Sequence, residues 1–268
     1  MFKDITIGQY YPADSVIHAM DPRVKIALMF AFIIILFFIN SFIPYFLVMV
    51  FLFMVIKLSK VPVQYVLKGL RPLRWIVLIT FVINIFFIPG EELVSFGFAT
   101  ITKEGLKTAL LMAIRLVLLV MGTSLLTLTS SPIEMTDGIE ELLKPLKKFK
   151  VPSHEIAMMM TIALRFIPTL IEETDKIMKA QMARGADFES GNIINRARNL
   201  VPLLVPLFIN SFRRADELAT AMESRCYRGG VGRTKLNQLA LDSKDYNAIA
   251  FCSIFFIGII LLNHWSII

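Results

Sequence analysis

Charge is scarce in this chain. Asp, Glu, Lys and Arg make up 18% of 268 residues, and 56% of the residues are hydrophobic. A soluble domain averages about 25% charged and 45–50% apolar. Histidine is scarcer still: three residues, far apart in sequence, give no metal-binding spacing. Two cysteines are too few for a disulfide framework, and Cys252 lies in an apolar run, so no bond to Cys226 is expected. No segment has the G-x-x-x-x-G-K-[ST] form of a phosphate-binding loop, so the chain carries no recognisable ATP site of its own. The first 20 residues lack an apolar core, so no cleavable signal peptide is expected. The low charge and apolar excess, with the long apolar runs in 1–128 and 246–268 and most of the charge in 129–245, exclude a soluble globular enzyme, a disordered chain and a fibrous repeat.

What is present is a set of continuous apolar runs, at about 24–39, 42–56, 75–89, 106–128 and 247–262. They are unbroken rather than alternating, which points to helices and excludes a membrane β-barrel. The expected fold is therefore an all-α integral membrane protein with about five transmembrane helices. Residues 1–128 hold four spans, 129–245 form a polar helical coupling domain, and 246–268 hold the last span. Residues 57–74 carry Lys57, Lys60, Lys68, Arg71 and Arg74 without an acid, whereas 40–45 are uncharged and 89–105 are acidic. By the positive-inside rule the N-terminus and the 129–245 insert are cytoplasmic and the C-terminus lies outside. A net charge of +7 fits this asymmetry and needs no nucleic-acid partner.

The insert reads as helical. A start at Ser131-Pro132-Ile133-Glu134 leads to a stop near Pro145. A second helix begins at a capping Ser153 and ends at Gly185. A third runs from about Asn192 to Arg225, ahead of Gly229 and Gly230. The last two share an ending. Residues 175–185 (DKIMKAQMARG) and 216–226 (DELATAMESRC) fit D-x-[IL]-x-x-A-x-x-[AS]-R-[GC], with Asp175, Ala180 and Arg184 matched by Asp216, Ala221 and Arg225. An arginine near a helix end complements the dipole and the terminal carbonyls. Framing each arginine with small residues, Ala183 and Gly185 or Ser224 and Cys226, adds something else: another surface can approach the guanidinium closely. Arg is a natural interface anchor, with five donors on a rigid fork. Two similar plugs imply two similar sockets, as a pair of related ATPase subunits would supply.

With its opening His18-Ala19-Met20-Asp21-Pro22-Arg23-Val24-Lys25, its spans, and two long helices ending in Ala183-Arg184-Gly185 and Ser224-Arg225-Cys226, the chain resembles the transmembrane T component of energy-coupling factor (ECF) transporters, of the cobalt-transport CbiQ type. The resemblance covers nearly the whole chain. The first triplet matches the family's Ala-Arg-Gly pattern fully; the second departs from it with Ser and Cys. The resemblance implies a non-catalytic, multi-pass scaffold in the cell membrane that couples two cytoplasmic ABC ATPases to uptake of a vitamin or transition metal. It implies no cofactor in this chain, ATP-Mg being held by the ATPases. The two triplets would dock on those ATPases. A membrane-embedded substrate-binding S component would sit on apolar faces represented by Met158, Met159, Pro168, Leu203, Pro206 and Leu207.

Other signals are weaker. His154-Glu155 begins a zincin motif, but position 158 is Met158. The glycine-rich 229–235 segment reads as a flexible linker. Arg115, about ten residues into the fourth span, is expected to pair structurally, with Asn84 as candidate partner. A membrane enzyme would need clustered acids, histidines or an activated nucleophile. A self-sufficient secondary transporter would need span repeats and more intramembrane charge. Neither pattern is found.

Overall fold

A computed structural model describes residues 10–96, 99–188, 193–230 and 239–265. The apolar runs form helices α1 (Pro22–Phe38), α2 (Phe42–Ser59), α4 (Arg74–Phe87), α5 (Lys103–Thr129) and α9 (Ser243–Trp265), with a short α3 (Val63–Lys68) after α2. The polar region holds α6 (Pro132–Leu143), a 3-10 turn (Lys144–Phe149), α7 (Ser153–Ala183) and α8 (Ile193–Ser224). A hairpin of β1 (Glu92–Phe96) and β2 (Ala99–Thr102) stands between α4 and α5. The sequence pattern predicts no strand in this region. Strand signals were missed because the strands are only five and four residues long.

By length and composition α2, α5, α7 and α9 can each cross a membrane. The expected span at 24–39 is α1, whose 17 residues reach the lower end of the usual range of about 17–25. The expected span at 75–89 is α4, whose 14 residues rise only about 21 Å. That is short of the ~30 Å hydrocarbon core. Conversely α7, assigned to the polar insert, is long and apolar enough to span.

The chain divides into two compact units. The larger comprises Gly8–Ile139 and Leu239–Ile268, and the smaller is built on Glu140–Gln238. In the larger unit α5 packs against α1, α2, α3 and α4, and α9 against α1 and α2. Its core includes Leu36, Tyr45, Val48, Ile56, Leu118 and Ile259.

Helix α1 is tied down at both ends by other elements. At its start Asp21 caps the helix: its Oδ1 accepts from the Arg23 backbone N–H at 2.8 Å and its carboxylate pairs with the Arg23 side chain. Burial pushes the Asp21 carboxyl up, but the hydrogen bonds and charge of Arg23 outweigh it and hold it below the ordinary value. Buried Asp245, near the start of α9, accepts the Asp21 N–H through Oδ1 and the Asp242 N–H through Oδ2, both at 2.9 Å. Buried Lys25 donates from Nζ to the carbonyls of Thr129, at the end of α5, and His18, both at 3.0 Å. The starts of α1 and α9 and the end of α5 are thereby joined. His18 itself is held by Ser15 Oγ and the Tyr11 carbonyl.

At the other end of α1 the carbonyls that the helix leaves unpaired are met by side chains from three helices. Arg115, 9% exposed on α5, donates from Nε to the Tyr45 hydroxyl at 2.7 Å and from Nη2 to the Ile39 carbonyl at 2.8 Å. Tyr45 on α2 also reaches the Leu36 and Ile39 carbonyls. Asn263 on α9 donates to the Phe38 carbonyl and accepts from the Asn40 N–H. The expected Asn84 partner is not used: Asn84 bonds back to the Thr80 carbonyl on its own helix. The correction has a simple cause. A guanidinium in apolar surroundings takes the strongest acceptors within reach, and the carbonyls at a helix C-terminus also carry the negative end of the dipole.

Removing that guanidinium takes away the donor to the Tyr45 hydroxyl and leaves the Ile39 carbonyl to Tyr45 alone. Arg115→Met is expected to destabilise the protein by about 1.5–3 kcal/mol, and Tyr45→Phe by about 1 kcal/mol. Thermal unfolding in detergent checks the order; equal stability of Arg115→Met and the parent would refute the role given to Arg115.

Candidate functional site

The sequence repeat falls on α7 and α8, which run antiparallel. Gln181 Nε2 donates to the Pro202 carbonyl at 3.4 Å, Asn210 Nδ2 donates to Glu173, and Arg214 pairs with Glu173 while lying over the Phe166 ring. Near the start of α8 Asn199 Nδ2 bonds the Asp187 carbonyl at 2.6 Å. Arg184 therefore lies beside the start of α8 and Arg225 at its other end, about 40 Å away along the helix at 1.5 Å per residue. The expected start at Asn192 lies outside the described residues, as do the glycine-rich segment's residues 231–235.

The two endings share one geometry. At the end of α7 the N–H of Gly185 bonds the Met182 carbonyl and the N–H of Ala186 bonds the Gln181 carbonyl, both at 3.0 Å. At the end of α8 the N–H of Cys226 bonds Glu223 at 2.8 Å and the N–H of Tyr227 bonds Met222 at 3.0 Å. Each pair is a Schellman closure with an arginine at the C-cap and the next residue left-handed. Gly185 has φ +90° and Cys226 has φ +55°. The small residue after each arginine thus has a backbone reason: that position needs a positive φ, which glycine adopts freely and cysteine only with strain. Ala183, Arg184, Gly185, Ser224, Arg225 and Cys226 are all exposed. Among the described residues neither Arg184 nor Arg225 has an ion-pair partner. An arginine needed only to close its own helix would fold back onto it; here backbone N–H groups close the helix and both guanidinium groups remain available.

The α8 ending has a brace that the sequence did not reveal. Tyr227, two residues after Arg225, approaches His154 Nε2 through its hydroxyl at 3.3 Å and donates to Met158 Sδ at 3.0 Å. His154 Nδ1 lies 3.0 Å from buried Glu140 on α6. Gly230 packs on the His154 ring, where an added Cβ would lie 2.6 Å from Cδ2. His154, considered as half of a zinc motif, is the centre of a Glu–His–Tyr chain linking α6, α7 and the α8 end. Its partners are 14 and 73 residues away, a separation that spacing rules cannot read. Ser153 is the first residue of α7 rather than its cap, that position being Pro152. The Ser131 and Glu134 pair does form a reciprocal capping box at the start of α6.

The residues named for the apolar face on α8 differ in exposure from their neighbours on the same helix. Leu203 is buried at 7%, and Pro206 and Leu207 are half-buried. The outward stripe is Val201, Leu204, Val205, Phe208, Ile209 and Phe212, 42–70% exposed at spacings of three and four. On α7 Met159 and Pro168 are exposed and Met158 is half-buried under Tyr227. An apolar stripe of this size marks a surface that meets a partner or the membrane.

Helices of this length and apolarity make the chain an all-α, multi-pass membrane protein. The model of the cobalt transport protein family, CbiQ, matches residues 13–236. A relative from Clostridium kluyveri, described as "Energy-coupling factor transporter transmembrane protein EcfT", is 60% identical over 265 residues and 98% of each chain. Relatives of the same description from Thermosediminibacter oceani and Bacillus subtilis are 58% and 50% identical. They cover 97% and 93% of this chain and 98% and 94% of their own. The chain belongs to the CbiQ family.

The shared backbone geometry makes its own prediction. Replacing Cys226 by glycine relieves about 1–2 kcal/mol of left-handed strain, offset by about 0.4–1 kcal/mol of added unfolded-state entropy. A net gain of about 0.5–1 kcal/mol is expected on those terms. Gly185→Ala should lose stability instead. Melting temperatures of the two variants moving in the same direction would contradict the matched endings.

Proposed function

We propose that the chain is the transmembrane scaffold of an ECF-type importer. It couples ATP hydrolysis on two cytoplasmic ABC ATPase subunits to uptake of a vitamin or transition metal through a membrane-embedded S component. The observation that carries this reading is the pair of matched helix ends, each presenting an exposed arginine that has no ion-pair partner among the described residues, on a shared backbone closure. Two equal plugs about 40 Å apart along α8 suit two related subunits better than one socket. Residues 129–245 lie on the cytoplasmic side in this reading, with the N-terminus inside and the C-terminus outside, as the basic 57–74 region favours. The scaffold itself hydrolyses nothing. The S component rests on the outward stripe of α8, together with Met159 and Pro168 on α7. The family match and the description shared by relatives at 50–60% identity support this assignment.

Truncating an arginine that pairs in a desolvated socket typically costs about 2–5 kcal/mol, or at least tenfold in affinity at about 1.4 kcal/mol per decade. Arg184→Ala and Arg225→Ala are each expected to weaken co-purification of the ATPases or uncouple hydrolysis from uptake, and the double variant to do so severely. Lysine should rescue only in part, having the charge but no planar fork. Full assembly and transport by the double alanine variant would overturn the proposal.

A further inference from the structure

The larger unit contains an open cavity of about 500 Å³ lined by α1, α2, α5, α9 and the residues just before α1. Its walls are almost wholly apolar, with Phe32, Phe51, Leu125 and Phe256 among them. Its polar lining is confined to the end where α1 and α9 begin and α5 stops: Lys25, Thr129, Lys244 and Asn247. From Lys244 to Phe256 the cavity follows α9 for twelve residues, about 18 Å. One leaflet of the hydrocarbon core is about 15 Å deep, half of ~30 Å. The cavity opens sideways where Met54, Leu58 and Phe251 are about half exposed.

The charges at the polar end are not equivalent. Lys25 is committed to the Thr129 and His18 carbonyls. Asp245 is buried, with both oxygens occupied by the backbone N–H groups of Asp21 and Asp242. Lys244 is exposed and, among the described residues, has no hydrogen bond or ion pair. One unpaired cation therefore stands at the mouth of a leaflet-deep apolar slot that opens laterally among helices able to cross a membrane.

We propose that this slot is a binding site for one anionic phospholipid, its phosphate on Lys244 and an acyl chain along α9. The shape fits a lipid better than a compact solute, because polarity is confined to one end and the slot opens along its flank. The charge favours an anionic headgroup over a zwitterionic one, and the basic 57–74 region would put the site in the cytoplasmic leaflet. The lipid would fill a gap between α2 and α9 that would otherwise leave apolar walls without contacts.

Native mass spectrometry of the purified transporter complex, re-lipidated with dioleoyl phosphatidylglycerol or dioleoyl phosphatidylcholine, tests this directly. One phosphatidylglycerol should be retained on this chain in preference to phosphatidylcholine. Lys244→Gln should lower phosphatidylglycerol retention about fivefold, the equivalent of about 1 kcal/mol per surface cation, with phosphatidylcholine unchanged. Ala248→Phe, which narrows the slot from its wall, should lower retention of both. Equal retention of the two lipids with no effect of Lys244→Gln would overturn the proposal. So would a slot covered by a partner helix, seen as Cys252 shielded from thiol reagents in the complex while no lipid is retained.

Discussion

A helix leaves its last carbonyls and first N–H groups without partners, and within an apolar interior each one left unpaired is costly. The larger unit is organised around that constraint. Every side chain that closes the C-terminus of α1 belongs to another helix: Tyr45 from α2, Arg115 from α5, Asn263 from α9. On the N-terminal side Asp245 of α9 accepts the Asp21 N–H, and Lys25 of α1 in turn closes the end of α5. Lipid tails are as apolar as leucine, so helix association in a bilayer gains little from the hydrophobic effect. Polar closures of this kind fix which helix sits beside which. Arg115 illustrates the point: a charge in the middle of a span reads as a functional site by default, but its donors are taken up by structure.

In the smaller unit the same constraint has a different solution. Helices α7 and α8 close their C-termini with their own backbone, through left-handed Gly185 and Cys226. The arginine at each C-cap is thereby released from helix closure. The difference between the endings lies in their support. The α7 ending rests on the Asn199 bond to Asp187, whereas the α8 ending is held through Tyr227, His154 and Glu140. The two endings are alike in backbone shape and unlike in anchorage.

Much of this was legible in sequence for identifiable reasons. Continuous apolar runs gave the membrane helices because burial in lipid demands them. The repeated D-x-[IL]-x-x-A-x-x-[AS]-R-[GC] pattern located the paired endings, and the small residue after each arginine turned out to mark a positive φ. On α8 the sequence pattern does not distinguish the buried apolar positions from the exposed ones. Leu203 and Leu204 are equally apolar, yet Leu203 is 7% exposed and Leu204 42%, a difference that only tertiary packing decides. The partners of Arg115 and His154 were unreadable because they lie 70 or more residues away for Tyr45, Ile39 and Tyr227, or on a helix whose packing no local pattern reveals. The hairpin at Glu92–Thr102 was missed because two short strands carry too little periodicity to register.

Cys226 offers the most direct test of docking, since it is a native, exposed thiol beside Arg225, while Cys252 lies in the apolar unit. In inside-out membrane vesicles stripped of the ATPases, a membrane-impermeant thiol reagent should label Cys226 readily. With the ATPases bound, labelling should fall sharply, and in right-side-out vesicles it should be absent in either case. Equal labelling of Cys226 in inside-out vesicles with and without the ATPases would contradict the docking of this helix end.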